Sequence, residues 1–232
     1  MRRILMTSLM MALCACSHAD EGDMVTDPAD RPEGFVNAQT YIHGLQADMR
    51  YFGDDNFIGR PIDGYDAPIC YLTIEAAEAL SKVQAELSGF GLGLKVFDCY
   101  RPASAVADFA AWARDLDDEK MKAKYYPEVE KSRLFELGYI AERSGHSRGS
   151  TMDLTIIELS TGEELDMGSR YDLFDPLSWP SDPRPTAQQR GNRALIQSVM
   201  LSNGFRGIKE EWWHFTLNNE PYPDTYFDFP VK

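Results

Sequence analysis

The stretch of residues 144–157, SGHSRGSTMDLTII, constrains the fold of this chain most, because it carries a histidine and a carboxylate around a glycine. From Thr151 onwards apolar and polar residues alternate, which predicts a strand with one apolar face and one face that carries Asp153. His146 lies seven residues before Asp153, an odd separation that would put it on the opposite face of an unbroken strand. The two side chains converge only if the chain bends between them, and Gly149 is where it can bend. The stretch therefore predicts one half of a metal site.

A third ligand has to come from a distant part of a chain that contains only four histidines. The best candidate is His214, since it lies in the segment 211–217, whose aromatic and β-branched residues predict a strand packed on the core. By contrast, His43 is a lone histidine in a strand or loop, which is more often structural or solvated. Two imidazoles and one carboxylate suit zinc and leave a fourth position for water, as in catalytic zinc sites.

Three motifs occur together: S-x-H-x-x-G-x-x-x-D at 144–153, E-x-W-H at 211–214 and D-x-Y-R-P at 98–102. In this combination the chain resembles the D-alanyl-D-alanine dipeptidases, the group that includes the vancomycin-resistance dipeptidases. The resemblance covers the chain from about Tyr41 onwards. It implies an α+β fold, with a mostly antiparallel sheet flanked by helices, that is shared with zinc DD-carboxypeptidases and hedgehog-type domains.

The resemblance also implies roles for individual residues. His146, Asp153 and His214 would hold one Zn²⁺ per chain, and Glu211 would take a proton from water and pass it to the leaving amine. Strict alternation puts residues 211 and 214 on opposite faces, so we expect Glu211 in an irregular segment just before the strand. The implied reaction is zinc-dependent hydrolysis of D-alanyl-D-alanine to two D-alanines, in cell-wall peptide turnover or related resistance.

Further residues are assigned to the substrate. Arg101 follows a strand predicted over residues 94–100, and the motif favours a guanidinium aimed at the scissile carbonyl. Without the motif, Arg101 would be interpreted as a surface arginine paired with Asp98. By the same resemblance, Ser144 and Asp166 would receive the free ammonium of a small D,D-dipeptide.

Two other functions are compatible with the ligand set. A DD- or LD-carboxypeptidase acting on peptidoglycan would need a groove that stays open beyond the ammonium site. A non-catalytic, zinc-bearing wall-binding module would not need Glu211 or Arg101, because neither is required to hold a metal.

The N-terminal residues predict export. Arg2 and Arg3 precede an apolar run too short to span a membrane, so residues 1–15 are interpreted as a signal peptide. The residues before Cys16 fit a lipoprotein cleavage site, which predicts a lipidated Cys16, a disordered tether over 16–35 and a catalytic domain over 36–232. The expected location is the periplasm, anchored to the outer membrane; an ordinary signal peptide would give a soluble secreted or periplasmic protein instead.

Charge and cysteine content limit the partners. The formal net charge of -14 argues against nucleic acid and against anionic lipid, so membrane contact is expected only through the N-terminal lipid anchor. Oligomeric state is not indicated by the sequence. Cys70 and Cys99 would remain after export, so a disulfide is permitted in an oxidising compartment but is not required.

Local signals place the main helices. Thr73 is expected to cap a helix that ends near Gly89, and Pro102 opens another helix. Thr186 and Gln189 form a capping-box pattern at the start of a third helix. The proline-containing loop 169–185 is expected to be irregular and to form a rim or a lid.

Overall fold

The computed structural model describes residues 31–232, so the predicted signal peptide, Cys16 and most of the tether lie outside the described part of the chain. Its strands are β1 (Phe35–Asn37), β2 (Gln46–Ala47), β3 (Tyr71–Thr73), β4 (Leu92–Asp98), β5 (Thr151–Glu158), β6 (Phe205–Gly207) and β7 (His214–Leu217). Its α-helices are α1 (Ala38–Tyr41), α2 (Ile74–Ser88), α3 (Ala103–Arg114), α4 (Lys122–Tyr125) and α5 (Ala187–Ser202).

Five strands form one sheet in the order β2-β4-β5-β7-β6, and β1 pairs with β3 in a small second sheet. Only β2 runs parallel to its neighbour β4; the other pairs of the main sheet are antiparallel. The predicted α+β fold with a mostly antiparallel sheet is therefore confirmed. The central strand β5 is buried on both faces up to Ile157, so Asp153 and Thr155 on its polar face lie inside the molecule.

The predicted helix signals are confirmed. The Thr73 hydroxyl accepts a hydrogen bond from the backbone N–H of Ala76, and Gly89 is the C-cap residue directly after α2. Thr186 and Gln189 form the reciprocal capping box of α5. Helices α2 and α5 contact each other and pack against β4 and β6, which covers the sheet with their apolar residues.

Cys70 and Cys99 form a disulfide, with their Cα atoms 5.2 Å apart. The bridge joins the end of β4 to the residue that precedes β3, and both cysteines are fully buried. Sequence separation could not predict this pairing, because it depends on how the two strands approach each other. Within residues 31–232, none of the helices combines the length and the apolar character that crossing a membrane requires.

Candidate metal centre and catalytic cavity

Three site residues stand in one row across the sheet. Asp153 of β5 lies opposite Asp98 of β4 on one side and opposite His214 of β7 on the other. Side chains directly opposite each other on neighbouring strands have Cβ atoms about 5 Å apart, so the register alone brings these groups together. The register shifts between Val96 and Asp98, an irregularity of the kind that re-aims side chains at functional sites.

The predicted bend places His146 beside this row. Residues 145–148 form one turn of 3-10 helix, and Gly149 ends it with a φ of 80°. A Cβ at Gly149 would lie 2.2 Å from a ring carbon of Phe35, so both conformation and space require glycine here. The chain thus reverses the strict strand alternation, and His146 and Asp153 converge as the sequence indicated.

The three predicted ligands face one point. His146 Nε2 lies 3.3 Å from Asp153 Oδ1, His214 Nδ1 lies 3.1 Å from the same oxygen, and the two nitrogens are 3.3 Å apart. Asp153 Oδ1 is buried and has no hydrogen-bond partner. A buried polar atom without a partner is costly, and a cation between these three atoms would remove that cost. The donor set of two imidazoles and one carboxylate fits zinc.

Neighbouring groups orient the ligands. His146 Nδ1–H donates to the carbonyl of Cys99 at 2.7 Å, which leaves Nε2 free for a metal. Tyr171 O–H donates to Asp153 Oδ2 at 3.0 Å, which turns the other oxygen, Oδ1, towards the imidazoles.

Electrostatics of the metal-free site agree with this arrangement. Burial opposes ionisation of Asp153, but the adjacent imidazoles His146 and His214 hold its pKa well below the usual range. Burial lowers the pKa of His214, but the adjacent carboxylates of Asp153 and Glu211 outweigh burial and raise this pKa to about 9. The site attracts positive charge, as a cation site should.

Glu211 lies in the irregular segment before β7, as expected from the alternation argument. Its Oε2 is 3.4 Å from His214 Nδ1, and the residue lines a cavity of about 250 Å³ together with the three ligands. A carboxylate within reach of the metal position and open to the cavity can accept a proton from a water held there.

Arg101 combines both interpretations of its sequence motif. It pairs with Asp98, with Nε at 3.0 Å and a terminal nitrogen at 2.8 Å from the same oxygen, but the pair is buried. The guanidinium carbon lies 5.1 Å from the ring centre of Tyr51 and 4.9 Å from that of Phe109. Arg101 also lines the cavity, so it is a rigidly held cation beside the metal position.

The two predicted ammonium-binding residues are not brought together. Ser144 lines the cavity, where its hydroxyl accepts from the backbone N–H of His146 at 3.2 Å. Asp166 instead lines a separate hollow, and its carboxylate accepts from Gln189 and from the backbone N–H of Gly168. The carboxylate of Asp166 is thus held against Gln189 in the first turn of α5. Its position does not support the assignment of Asp166 to the substrate.

The acid that does line the cavity is Asp172, in the loop expected to form a rim. Its backbone has a φ of 59°, rare for a residue other than glycine, and Tyr51 O–H donates to its carboxylate at 2.9 Å. Burial, together with the charges of Asp153 and Glu211, raises the pKa of Asp172 well above the usual range. The only signal for Asp172 in the sequence was weak: it is an acid within a loop predicted to be irregular.

His43 is exposed and does not belong to the group of potential metal ligands found in residues 31–232.

A three-ligand centre with an adjacent carboxylate and a buried arginine, all at one cavity, defines the protein as a metal-dependent hydrolase. A family profile described as D-ala-D-ala dipeptidase matches residues 31–232, and the chain belongs to that family of M15 peptidases.

Two relatives with the same name agree with the family match. The chain is 42% identical over 199 residues to the D-alanyl-D-alanine dipeptidase of Enterococcus faecalis, covering 86% of this chain and 98% of the relative. It is 41% identical over 197 residues to the dipeptidase of the same name from Streptomyces coelicolor, covering 85% and 98%.

A solved vancomycin-resistance D,D-pentapeptidase in complex with Zn(II) is similar with a TM-score of 0.40 and 12% identity, over 68% of this chain and 78% of that one.

Proposed function

We propose that this protein is a zinc-dependent dipeptidase that hydrolyses D-alanyl-D-alanine to two D-alanines. The observation that carries the proposal is the unpartnered, buried oxygen of Asp153 facing two imidazole nitrogens, beside Glu211 and Arg101. The sequence relatives of the same name support the choice of substrate.

His146, Asp153 and His214 would hold the zinc. When bound, Zn²⁺ would polarise a carbonyl and lower the pKa of a water ligand to about 7. Glu211 accepts the proton of the attacking water as its oxygen bonds to the scissile carbonyl carbon. The same carboxyl then gives that proton to the leaving amine as the C–N bond breaks, so Glu211 ends in its starting ionised form.

Arg101 stabilises the negative charge that develops on the carbonyl oxygen. Its guanidinium is already fixed by Asp98 and by the faces of two aromatic rings, so little reorganisation is needed when the charge develops. This buried placement argues against a wall-binding module, which would need neither Arg101 nor Glu211.

The free ammonium of the substrate has two carboxylates available, Asp172 and Glu211. Because Glu211 is engaged in proton transfer, Asp172 is the better partner for the ammonium. An ammonium ion beside Asp172 favours the ionised carboxylate and so opposes the burial and the neighbouring negative charges that raise its pKa. The site therefore rewards a free N-terminus and penalises longer peptides, which place a neutral amide at the same point. The cavity of about 250 Å³ is also below the roughly 300–1,000 Å³ usual for drug-sized ligands, which favours a dipeptide.

A substrate panel tests this function. Zinc-loaded protein is incubated with D-Ala-D-Ala, L-Ala-L-Ala and a stem pentapeptide ending in D-Ala-D-Ala, and released alanine is measured. Cleavage confined to D-Ala-D-Ala is expected. Faster release from the pentapeptide would identify a carboxypeptidase, and zinc binding without any cleavage would favour the wall-binding module.

We also propose that the protein works outside the cytoplasm on cell-wall peptides, anchored through a lipidated Cys16. The Cys70–Cys99 disulfide supports an oxidising compartment, where such bonds persist. Replacing Cys16 by serine should leave the precursor unprocessed or release the protein from the membrane fraction. Unchanged processing and partitioning would favour an ordinary secretory signal.

A further inference from the structure

Two arginines line the catalytic cavity, and they differ in their partners. Arg101 is paired with Asp98, and its side chain is 12% exposed. Arg143 has no ion-pair partner among residues 31–232, and its guanidinium carbon lies 5.2 Å from the ring centre of Tyr226. Arg143 is therefore the cation at the cavity whose charge is not already committed to a protein carboxylate.

Arg143 lies between the catalytic cavity and a second, adjoining hollow. It directly precedes Ser144, Gly145 and His146, which line the cavity, so its backbone is held by the ligand turn. It also lines an adjoining hollow of about 210 Å³, which shares only Val106 and Arg143 with the cavity. Neither Asp172 nor Glu211 lines this hollow. The acid that does line it, Glu142, is paired with Arg114, with 2.6 Å between the charged atoms.

The adjoining hollow carries a second free donor. The Ser147 hydroxyl lines it, is buried, and has no hydrogen-bond partner within the described chain. A planar guanidinium over a tyrosine ring, in the same hollow as a free hydroxyl, presents donors that suit a carboxylate.

We propose that Arg143 binds the C-terminal carboxylate of the dipeptide substrate, an inference that rests on the proposed function. A dipeptide is a zwitterion, and its two ends need opposite partners. Asp172 binds the ammonium end, Glu211 transfers the proton, and Arg101 is held by Asp98 at the reacting carbonyl. A substrate carboxylate left unpaired in the cavity would carry a desolvation cost, and Arg143 removes it. Recognition of both charged ends sets the length of the substrate at two residues.

The test compares D-Ala-D-Ala with D-Ala-D-Ala amide, which lacks the negative charge. Kinetic constants are measured for the parent, Arg143→Gln, Arg143→Lys and the matched control Arg133→Gln, whose arginine is exposed and pairs with Glu136 away from the cavity. Zinc content is measured for every protein.

In Arg143→Gln we expect kcat/KM for the acid to fall about 10- to 100-fold, mainly through KM, because a hydrogen bond to a charged group is lost. Cleavage of the amide should be unchanged, so the preference for acid over amide collapses. Arg143→Lys should keep part of the preference, and Arg133→Gln all of it.

Equal losses on acid and amide in Arg143→Gln would overturn the inference, because they would show a structural role for Arg143. A preference that persists unchanged in that variant would overturn it as well, while the proposed function would stand. If the zinc-loaded parent cleaves neither compound, the proposed function itself fails, and with it the assignment of Arg143.

Discussion

The catalytic cavity and the hollow at Asp166 are both lined by acidic side chains, and they differ in how the carboxylates of Asp153 and Asp166 are satisfied. The hollow at Asp166 is the larger, about 380 Å³ against about 250 Å³ for the catalytic cavity. Asp166 accepts from Gln189 at 2.8 Å and from the Gly168 N–H at 2.9 Å, and these hydrogen bonds lower its pKa. Asp153 is 2% exposed and keeps one oxygen without a partner. The unsatisfied buried acceptor, and not the size of the hollow, distinguishes the metal site.

The largest expected effect is the loss of zinc and activity on changing Asp153, compared with the same change at Asp166. Asp153→Asn preserves shape but removes the anionic ligand, so zinc affinity should fall by more than the roughly 10- to 100-fold that ligand-supporting residues contribute. Activity should be lost at ordinary zinc concentrations. Zinc content, by elemental analysis, and turnover are measured for this variant and for Asp166→Asn. The Asp166→Asn variant should keep both its zinc and its activity. Full zinc occupancy in Asp153→Asn would refute the ligand assignment.

The next effect separates proton transfer from metal binding within the cavity. Glu211→Gln keeps size but cannot accept a proton, so kcat should fall by about 10²- to 10⁴-fold, or more because the same group serves twice. Zinc content should stay at the parental level. A kcat close to the parental value at saturating D-Ala-D-Ala would show that another group is the base.

Arg101→Ala should lower kcat by about 10²- to 10³-fold, as expected for the loss of an oxyanion donor. It should also lower thermal stability, because Asp98 is left as an unpaired buried charge, a loss on the order of 3–5 kcal/mol. The control is Arg60→Ala, which breaks the more exposed pair with Asp108 and should cost about 1 kcal/mol or less. Equal melting temperatures for the two variants would contradict the buried role of Arg101.

The smallest effect tests which loop acid meets the substrate. Asp172→Asn should raise KM for D-Ala-D-Ala about 10- to 100-fold, because a charged partner of the ammonium is lost. Asp166→Asn should leave KM unchanged. KM is measured by saturation kinetics at equal zinc content. A larger rise in KM for Asp166→Asn than for Asp172→Asn would show that Asp166, and not Asp172, binds the substrate ammonium.

Much of this arrangement follows from local sequence. Period-2 alternation predicts β5, and the Gly149 bend explains how His146 reaches Asp153. The caps at Thr73 and Thr186 predict where two helices begin. These features depend on a few neighbouring residues, so a single sequence carries them.

What the sequence could not give depends on contacts between distant segments. The disulfide, and the placement of Asp172 and not Asp166 at the cavity, follow from how the loops cross the sheet. Both acids lie in segments without regular structure, and only the fold shows that one of them is satisfied by Gln189. The resemblance to the family identified the chemistry but not the loop acid that faces the cavity.

The hydrogen bond from His146 to the Cys99 carbonyl links the disulfide to the metal site. The backbone next to Cys99 is held by the hydrogen bond from the Tyr100 N–H to the Tyr71 carbonyl, and the bond to Cys70 adds a covalent constraint on the residue whose carbonyl selects the metal-binding nitrogen of His146. We therefore expect the oxidised protein to bind zinc more tightly than the reduced protein. For recombinant production, an oxidising compartment or oxidative refolding in the presence of zinc would be the preferred route.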